Sequence, residues 1–169
     1  MQPKPTHSPR KQLYTPAERA RRDATRWTLV QGILAPVQFL AFAVSLVLVL
    51  RFVWTGDGYT AATVSILIKT ALLYGIMVTG AIWEKVVFGQ YLFAPAFFWE
   101  DVISFVVIAL HTFYLYGLIT GALSPAAQMT VALAAYATYV VNAGQFLWKL
   151  RMARLDAGVA AAPTKGVAA

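Results

Sequence analysis

The chain has 169 residues, 59% of them apolar and only 12% charged, against roughly 25% charged in ordinary soluble domains. A soluble fold of this length buries roughly two thirds of its surface, too little to hide so many apolar side chains, so a water-soluble domain is excluded and lipid must take up the difference. Lysine and arginine number 14 against 7 aspartates and glutamates, and cysteine is absent, which removes disulfides, thiolate nucleophiles and thiolate metal sites together.

Residues 1–13 are polar, without an apolar face to dock, and read as a flexible tail. The segment YTPAERARRDATRW then predicts a short amphipathic helix: Thr15 caps, Pro16 suits the first helical position and Glu18 stands at capping-box spacing. Four apolar stretches follow, about Leu29–Leu50, Tyr59–Trp83, Val102–Leu123 and Met129–Leu150, each supplying about the 20 residues that cross a bilayer as a helix. They lack the two-residue alternation of barrel strands. Residues 155–169 read as a second flexible tail, leaving one domain over 14–154. No cleavable signal peptide is expected, because the leader before the first span is too long and too charged.

Basic residues suggest the orientation. Lys4, Arg10, Lys11, Arg19, Arg21, Arg22 and Arg26 precede the first stretch, and Lys149, Arg151, Arg154 and Lys165 follow or end the fourth. The positive-inside rule then places both termini in the cytoplasm. The expected fold is all-α, an integral membrane four-helix bundle with the short amphipathic helix before it. The basic charge does not imply nucleic acid, since no recognised binding module accompanies it.

Glu84, Glu100 and Asp101 bracket EKVVFGQYLFAPAFFWED, the segment joining the second and third stretches. Carboxylates at the mouth of a membrane bundle are costly unless paired, hydrated or used, which makes these the first candidates for chemistry. A carboxylate beside another favours its neutral, proton-donating form, whereas a helix N-terminus favours the charged form. The alternative readings are a Glu84–Lys85 interfacial pair and a Glu100–Asp101 cap on the third helix. Trp83, Phe88, Tyr91, Phe93, Phe97, Phe98 and Trp99 crowd the same segment. They fit an interfacial belt or flat walls for a large planar ligand.

Depth arithmetic at 1.5 Å per residue sets Gln38, His111 and Asn142 roughly 12 to 15 Å from one membrane boundary, as one layer. Tyr139, Asn142 and Gln145 form a polar stripe on the fourth stretch, and Glu100, Ser104 and His111 share a face of the third. Such groups often serve only to hold helices together, but a neutral imidazole also ligates metals or relays protons. Lys69 is expected to snorkel to the far interface. Small-residue pairs at Gly75/Gly80 and Ala132/Ala135 admit either internal packing or self-association.

The stretches TPAERARRD, WTLVQGILAP, IKTALLYGIMVTGAIWEKVVFGQYLFAPAFFWEDV, ALHTFYLYGLITGAL and LAAYATYVVNAGQF closely resemble the 3-vinyl bacteriochlorophyllide hydratase family, over roughly residues 14–156 and most strongly over 69–110. The resemblance implies a multi-pass enzyme of a bacterial cytoplasmic or photosynthetic membrane that adds water to the C3-vinyl group of a chlorophyllide, giving the 1-hydroxyethyl pigment. It implies no separate cofactor, the magnesium being carried by the substrate. Implied partners are the pigment, water and lipid, with a second copy or neighbouring pigment-synthesis enzymes open.

The chemistry of alkene hydration then suggests roles. Protonating the terminal vinyl carbon leaves a cation that the macrocycle spreads and water quenches, which calls for an acid and a carboxylate. Glu100 and Asp101 are the expected acid and partner, and Glu84 the base that positions water. His111 is an axial magnesium ligand or a proton relay. Tyr139, Asn142, Gln38, Phe98, Trp99 and Tyr91 are candidate pigment contacts, and Arg26, or Arg22, the partner of its propionate. The rival reading is a noncatalytic tetrapyrrole carrier; a small transporter is a third, without an internal repeat to support it. No glycine-rich nucleotide loop is present.

Overall fold

The computed structural model describes residues 13–161, with side chains to residue 156. Of the tails expected over 1–13 and 155–169, residues 1–12 and 162–169, with Lys4, Arg10, Lys11 and Lys165, lie outside the described residues. At their inner edges, the Leu13 amide donates to Asp156 at 3.2 Å and the last helix runs on to Ala161.

Five helices follow in order: α1 Pro16–Ala24, α2 Arg26–Thr55, α3 Tyr59–Phe88, α4 Phe98–Thr120 and α5 Pro125–Ala161. Helix α1 starts where the capping box predicts. The Glu18 amide donates to the Thr15 hydroxyl at 3.3 Å and the Thr15 amide donates to the Glu18 carboxylate at 2.8 Å, so two otherwise orphaned donors are met by one motif.

The four-helix membrane bundle is not what forms. Among the described residues three helices, α2, α3 and α4, are long and apolar enough to cross a membrane. Helix α5 is the longest at 37 residues, but Tyr136, Tyr139, Asn142 and Gln145 interrupt its apolar stretch, and it continues without a break through Lys149, Arg151 and Arg154. The stretch that sequence reading took as a fourth span is thus the middle of a longer, more polar helix. The expectation that both termini share the cytoplasmic side, drawn from the basic residues at the two ends, needs an even number of crossings, which three span candidates do not give.

The helices form two tight hairpins, α2 with α3 and α4 with α5, which pack more thinly against each other. The second turn depends on Gly117, where an added Cβ would lie 2.3 Å from Leu123 Cδ1. Phe42, Ile66, Val107, Tyr114, Met129 and Tyr136 are among the buried residues of the core. Ala132 and Ala135 are also buried there, so that small-residue pair serves packing within the chain. Across the seam between the hairpins, the Ser45 hydroxyl lies 2.5 Å from the Tyr136 hydroxyl, and within the first hairpin it lies 2.7 Å from that of Ser65. Leu29, Leu40, Val47 and Ile119 point outward and exposed, as helix faces in contact with lipid require.

Candidate active site at the α3–α4 junction

Helix α3 ends at Gly89, whose φ of 88° suits glycine, and the chain crosses to α4 in nine residues. Within that loop Phe93 holds φ 59°, a left-handed conformation that a bulky side chain adopts only when its surroundings impose it. The imposing groups are acids. The Phe93 amide donates to Asp101 Oδ2 at 2.6 Å and the next amide, Ala94, donates to Glu84 Oε2 at 3.2 Å. One carboxyl from the end of α3 and one from the start of α4 therefore clamp consecutive loop amides, which gathers the two carboxyls at the same turn of the loop. Lys85 takes no part: its Nζ donates to the Gly89 carbonyl at 2.7 Å, so the alternative reading of a Glu84–Lys85 pair does not hold.

Glu100 belongs to the same cluster with a different partner. Its Oε1 lies 3.5 Å from Lys149 Nζ of α5, and Lys149 also donates to the Ala96 carbonyl. Glu100 Oε2 is buried with no protein partner. Asn142 closes the floor by donating to the Glu100 carbonyl at 2.9 Å and to the Ser104 hydroxyl at 3.1 Å. All three acids are buried, held at one junction by four segments: the end of α3, the loop, the start of α4 and the later half of α5.

The aromatic residues divide into two groups. Tyr14, Trp83, Phe88 and Phe97 stack on one another behind the acids, with centroids 5.6–6.3 Å apart, and the Trp83 indole donates to the Thr28 hydroxyl at 2.9 Å. Burial pushes the Tyr14 phenol above its usual range, against the opposing pull of the nearby Arg22 guanidinium. Tyr91, Phe93, Phe98 and Trp99 form an exposed apron outside the acids, Trp99 at 67%, with Phe93 stacked on Phe105 at 5.5 Å. Arg26 is exposed in the first turn of α2. Arg22 covers the Tyr14 ring at 4.7 Å and pairs with Asp23 at 2.7 Å.

The expected single layer of Gln38, His111 and Asn142 is divided. Asn142 sits with Glu100 and Ser104, whereas His111 lies two turns further along α4 against Tyr136, ring centroids 6.0 Å apart. Measuring depth from the ends of apolar stretches misplaces α5, because α4 starts at Phe98 and α5 continues far past Leu150. His111 Nδ1 lies 2.8 Å from the Val107 carbonyl, which only accepts, so Nδ1 carries the hydrogen and a neutral ring presents Nε2 as a lone-pair donor. That Nε2 is buried without a partner, as are both amide atoms of Gln38. Lys69 does not snorkel. It is fully buried and turns inward, with Nζ 4.1 Å above the Tyr139 ring.

Sequence reading missed Lys149 and Tyr14 as parts of the site. Lys149 was read only as a topology signal, although it continues the stripe of Asn142 and Gln145 at helical spacing. Tyr14 occupies the position before the N-cap, where an apolar residue commonly staples a helix start to its neighbours.

Over residues 14–152 the chain matches the family model described as 2-vinyl bacteriochlorophyllide hydratase. The chain belongs to that family. A 2-vinyl bacteriochlorophyllide hydratase of Cereibacter sphaeroides is 75% identical over 156 residues, covering 92% of this chain and 97% of its own length. The protein of the same description from Rhodobacter capsulatus is 76% identical over 153 residues, covering 90% and 89%. No solved structure matches the chain. Membership of this hydratase family makes the chain a carbon–oxygen lyase of bacteriochlorophyll biosynthesis and a multi-pass protein of the bacterial inner or photosynthetic membrane.

Proposed function

We propose that Glu84, Asp101 and Glu100 carry the hydration of the vinyl group of a (bacterio)chlorophyllide, the activity to which family membership assigns this chain. The observation that supports the assignment is the convergence of the Glu84 and Asp101 carboxyls on the consecutive amides of Ala94 and Phe93 at a buried junction. Two carboxyls crowded together at a buried site favour holding one proton between them, which is the proton an alkene needs. Transferred to the terminal vinyl carbon, it leaves a cation on the adjacent carbon, conjugated with the macrocycle. A water molecule attacks there. Glu100, ion-paired with Lys149 and with Oε2 free, takes the proton that the attacking water releases. One water is consumed, and a proton returned to the Glu84–Asp101 pair closes the cycle.

The exposed apron of Tyr91, Phe98 and Trp99 supplies the apolar faces against which an amphiphilic macrocycle enters from the lipid side, with its vinyl edge towards the acids. Asn142 fixes the Glu100 backbone, and Tyr139 and Gln38 line the interior behind it. The magnesium enters with the pigment as part of the substrate. The Nε2 lone pair of His111, buried without a protein partner, is the donor with which the chain would hold the pigment magnesium. Arg26, exposed near the membrane boundary, is the candidate partner of the pigment propionate.

Turnover of 3-vinyl pigment in heavy-oxygen water tests the function. The heavy oxygen is expected in the new hydroxyethyl group, and tight pigment binding without labelled product would return the carrier reading.

A further inference from the structure

Among the described residues, Lys69 is the buried charge-bearing side chain in the hairpin seam that the mechanism leaves unused. It stands in the middle of α3, fully buried, and its Nζ has no hydrogen-bond partner. An ammonium has donors only, yet what faces it is the Tyr139 ring at 4.1 Å and the Tyr136 ring at 5.4 Å. The buried acids do not answer it. Glu84 lies 15 residues along the same helix, about 22 Å of rise, and Glu100 is taken by Lys149.

A second unmet group borders the same seam. Gln38 is buried with both amide atoms unpartnered, one helical turn from Phe42. The Phe42 ring packs on Tyr139 at 4.9 Å and on Tyr136 at 5.4 Å. Lys69 and Gln38 therefore flank one aromatic floor, on the wall formed by α2 and α3. A buried donor left unmet is costly, more so for a charge, and neither Lys69 Nζ nor the Gln38 amide has a protein partner among the described residues. Since Tyr139 lies three residues, about 4.5 Å of rise, from the Asn142 that holds Glu100, the unmet donors stand on the same seam as the acid cluster.

We propose that the seam between the two hairpins is a binding site for the oxygen-bearing periphery of the tetrapyrrole, with Lys69 donating to a carbonyl or carboxylate oxygen of the pigment and Gln38 as the second donor. The proposal rests on the preceding reading for the identity of the pigment and extends it to a residue that reading does not use. The thin packing between the hairpins is what allows them to part around a flat ligand, while each hairpin stays intact.

The test measures equilibrium binding to the full-length protein in lipid nanodiscs, by pigment absorbance, in the absence of turnover. The probes are the pigment with its vinyl group reduced to ethyl, which cannot be hydrated, as free acid, as its methyl ester, and with its ring ketone reduced to an alcohol. The unaltered protein is expected to bind the free acid at least about tenfold more tightly than one of the modified pigments, equivalent to about 1.4 kcal/mol. Lys69→Met is expected to erase that preference while its thermal midpoint stays level or rises, because a buried unpartnered charge is removed. Discrimination against the ester assigns the carboxylate, and against the alcohol the ketone. Equal affinity of the unaltered protein for all three probes overturns the proposal. A Lys69→Met variant that keeps the preference, or weakens all three alike, does the same and leaves Lys69 a hydrated or purely structural group. Gln38→Leu, which removes the second donor, provides the same readout if Lys69→Met fails to fold. Because binding is read without turnover, a failure of the carboxyl mechanism leaves this result untouched, and the converse also holds.

Discussion

If Glu84 and Asp101 hold one proton between them, replacing either should disable the acid step and replacing both should add little. Asp101→Asn keeps the shape of the side chain and an oxygen to accept from the Phe93 amide, now 2.6 Å from Oδ2, but an amide has no proton to give the alkene. A positioned general acid contributes about 10²–10⁴-fold, so hydration by Asp101→Asn should slow by about 100-fold or more, at least ~2.7 kcal/mol of transition-state stabilisation. The structural cost is smaller, since turning one charge-assisted hydrogen bond into a neutral one removes about 1 kcal/mol, and the folded protein should still bind pigment. Glu84→Gln should behave alike. Groups that act as a unit are not additive, so the double variant should fall within about threefold of the slower single one. The assay is the initial rate of hydroxyethyl-pigment formation by equal amounts of membrane protein, with absorbance checking pigment binding. Single variants within about threefold of the unaltered rate, or losses that multiply in the double variant, would refute the shared-proton reasoning.

Two further substitutions separate catalysis from scaffolding. Glu100→Gln removes the acceptor proposed for the proton of the attacking water and should slow conversion by at least about tenfold while pigment affinity holds, about 1.4 kcal/mol; binding and rate measured on the same preparation decide it. Asn142→Leu deletes the donors at 2.9 and 3.1 Å that tie α5 to Glu100 and Ser104 and should lower stability by about 1–3 kcal/mol, read as a lower thermal midpoint.

The acid cluster was legible in the sequence because so few acids stand in so apolar a chain that Glu84, Glu100 and Asp101 had to be costly, and their bracketing of a short aromatic segment put them together. The capping box at Thr15 was legible because its contacts are local. What periodicity could not give was partnership across helices. Lys149 and Glu100 are 49 positions apart in sequence, and only the register of α5 against α4 joins them. The same register separates His111 from Asn142, which equal depth from assumed span ends had put in one layer. Lys69 was misread because a long side chain in an apolar run ordinarily reaches for water, and nothing in the local sequence shows that Tyr136 and Tyr139 wait on the inner side. The fourth span was inferred from apolar content alone. The polar stripe recognised on that stretch was itself the sign that the helix differs from its three neighbours.

The central claim is that the reacting alkene lies against the Glu84–Asp101 pair. A structure of the protein with a bound 3-vinyl pigment held unreactive by Asp101→Asn measures this directly. The terminal vinyl carbon should lie about 3–3.5 Å from the Glu84 carboxyl or from the amide that replaces the Asp101 carboxyl, the separation from which a proton can transfer, with Glu100 on the side from which water approaches the adjacent carbon. A vinyl group bound well away from all three side chains, with no water linking it to them, would contradict the account.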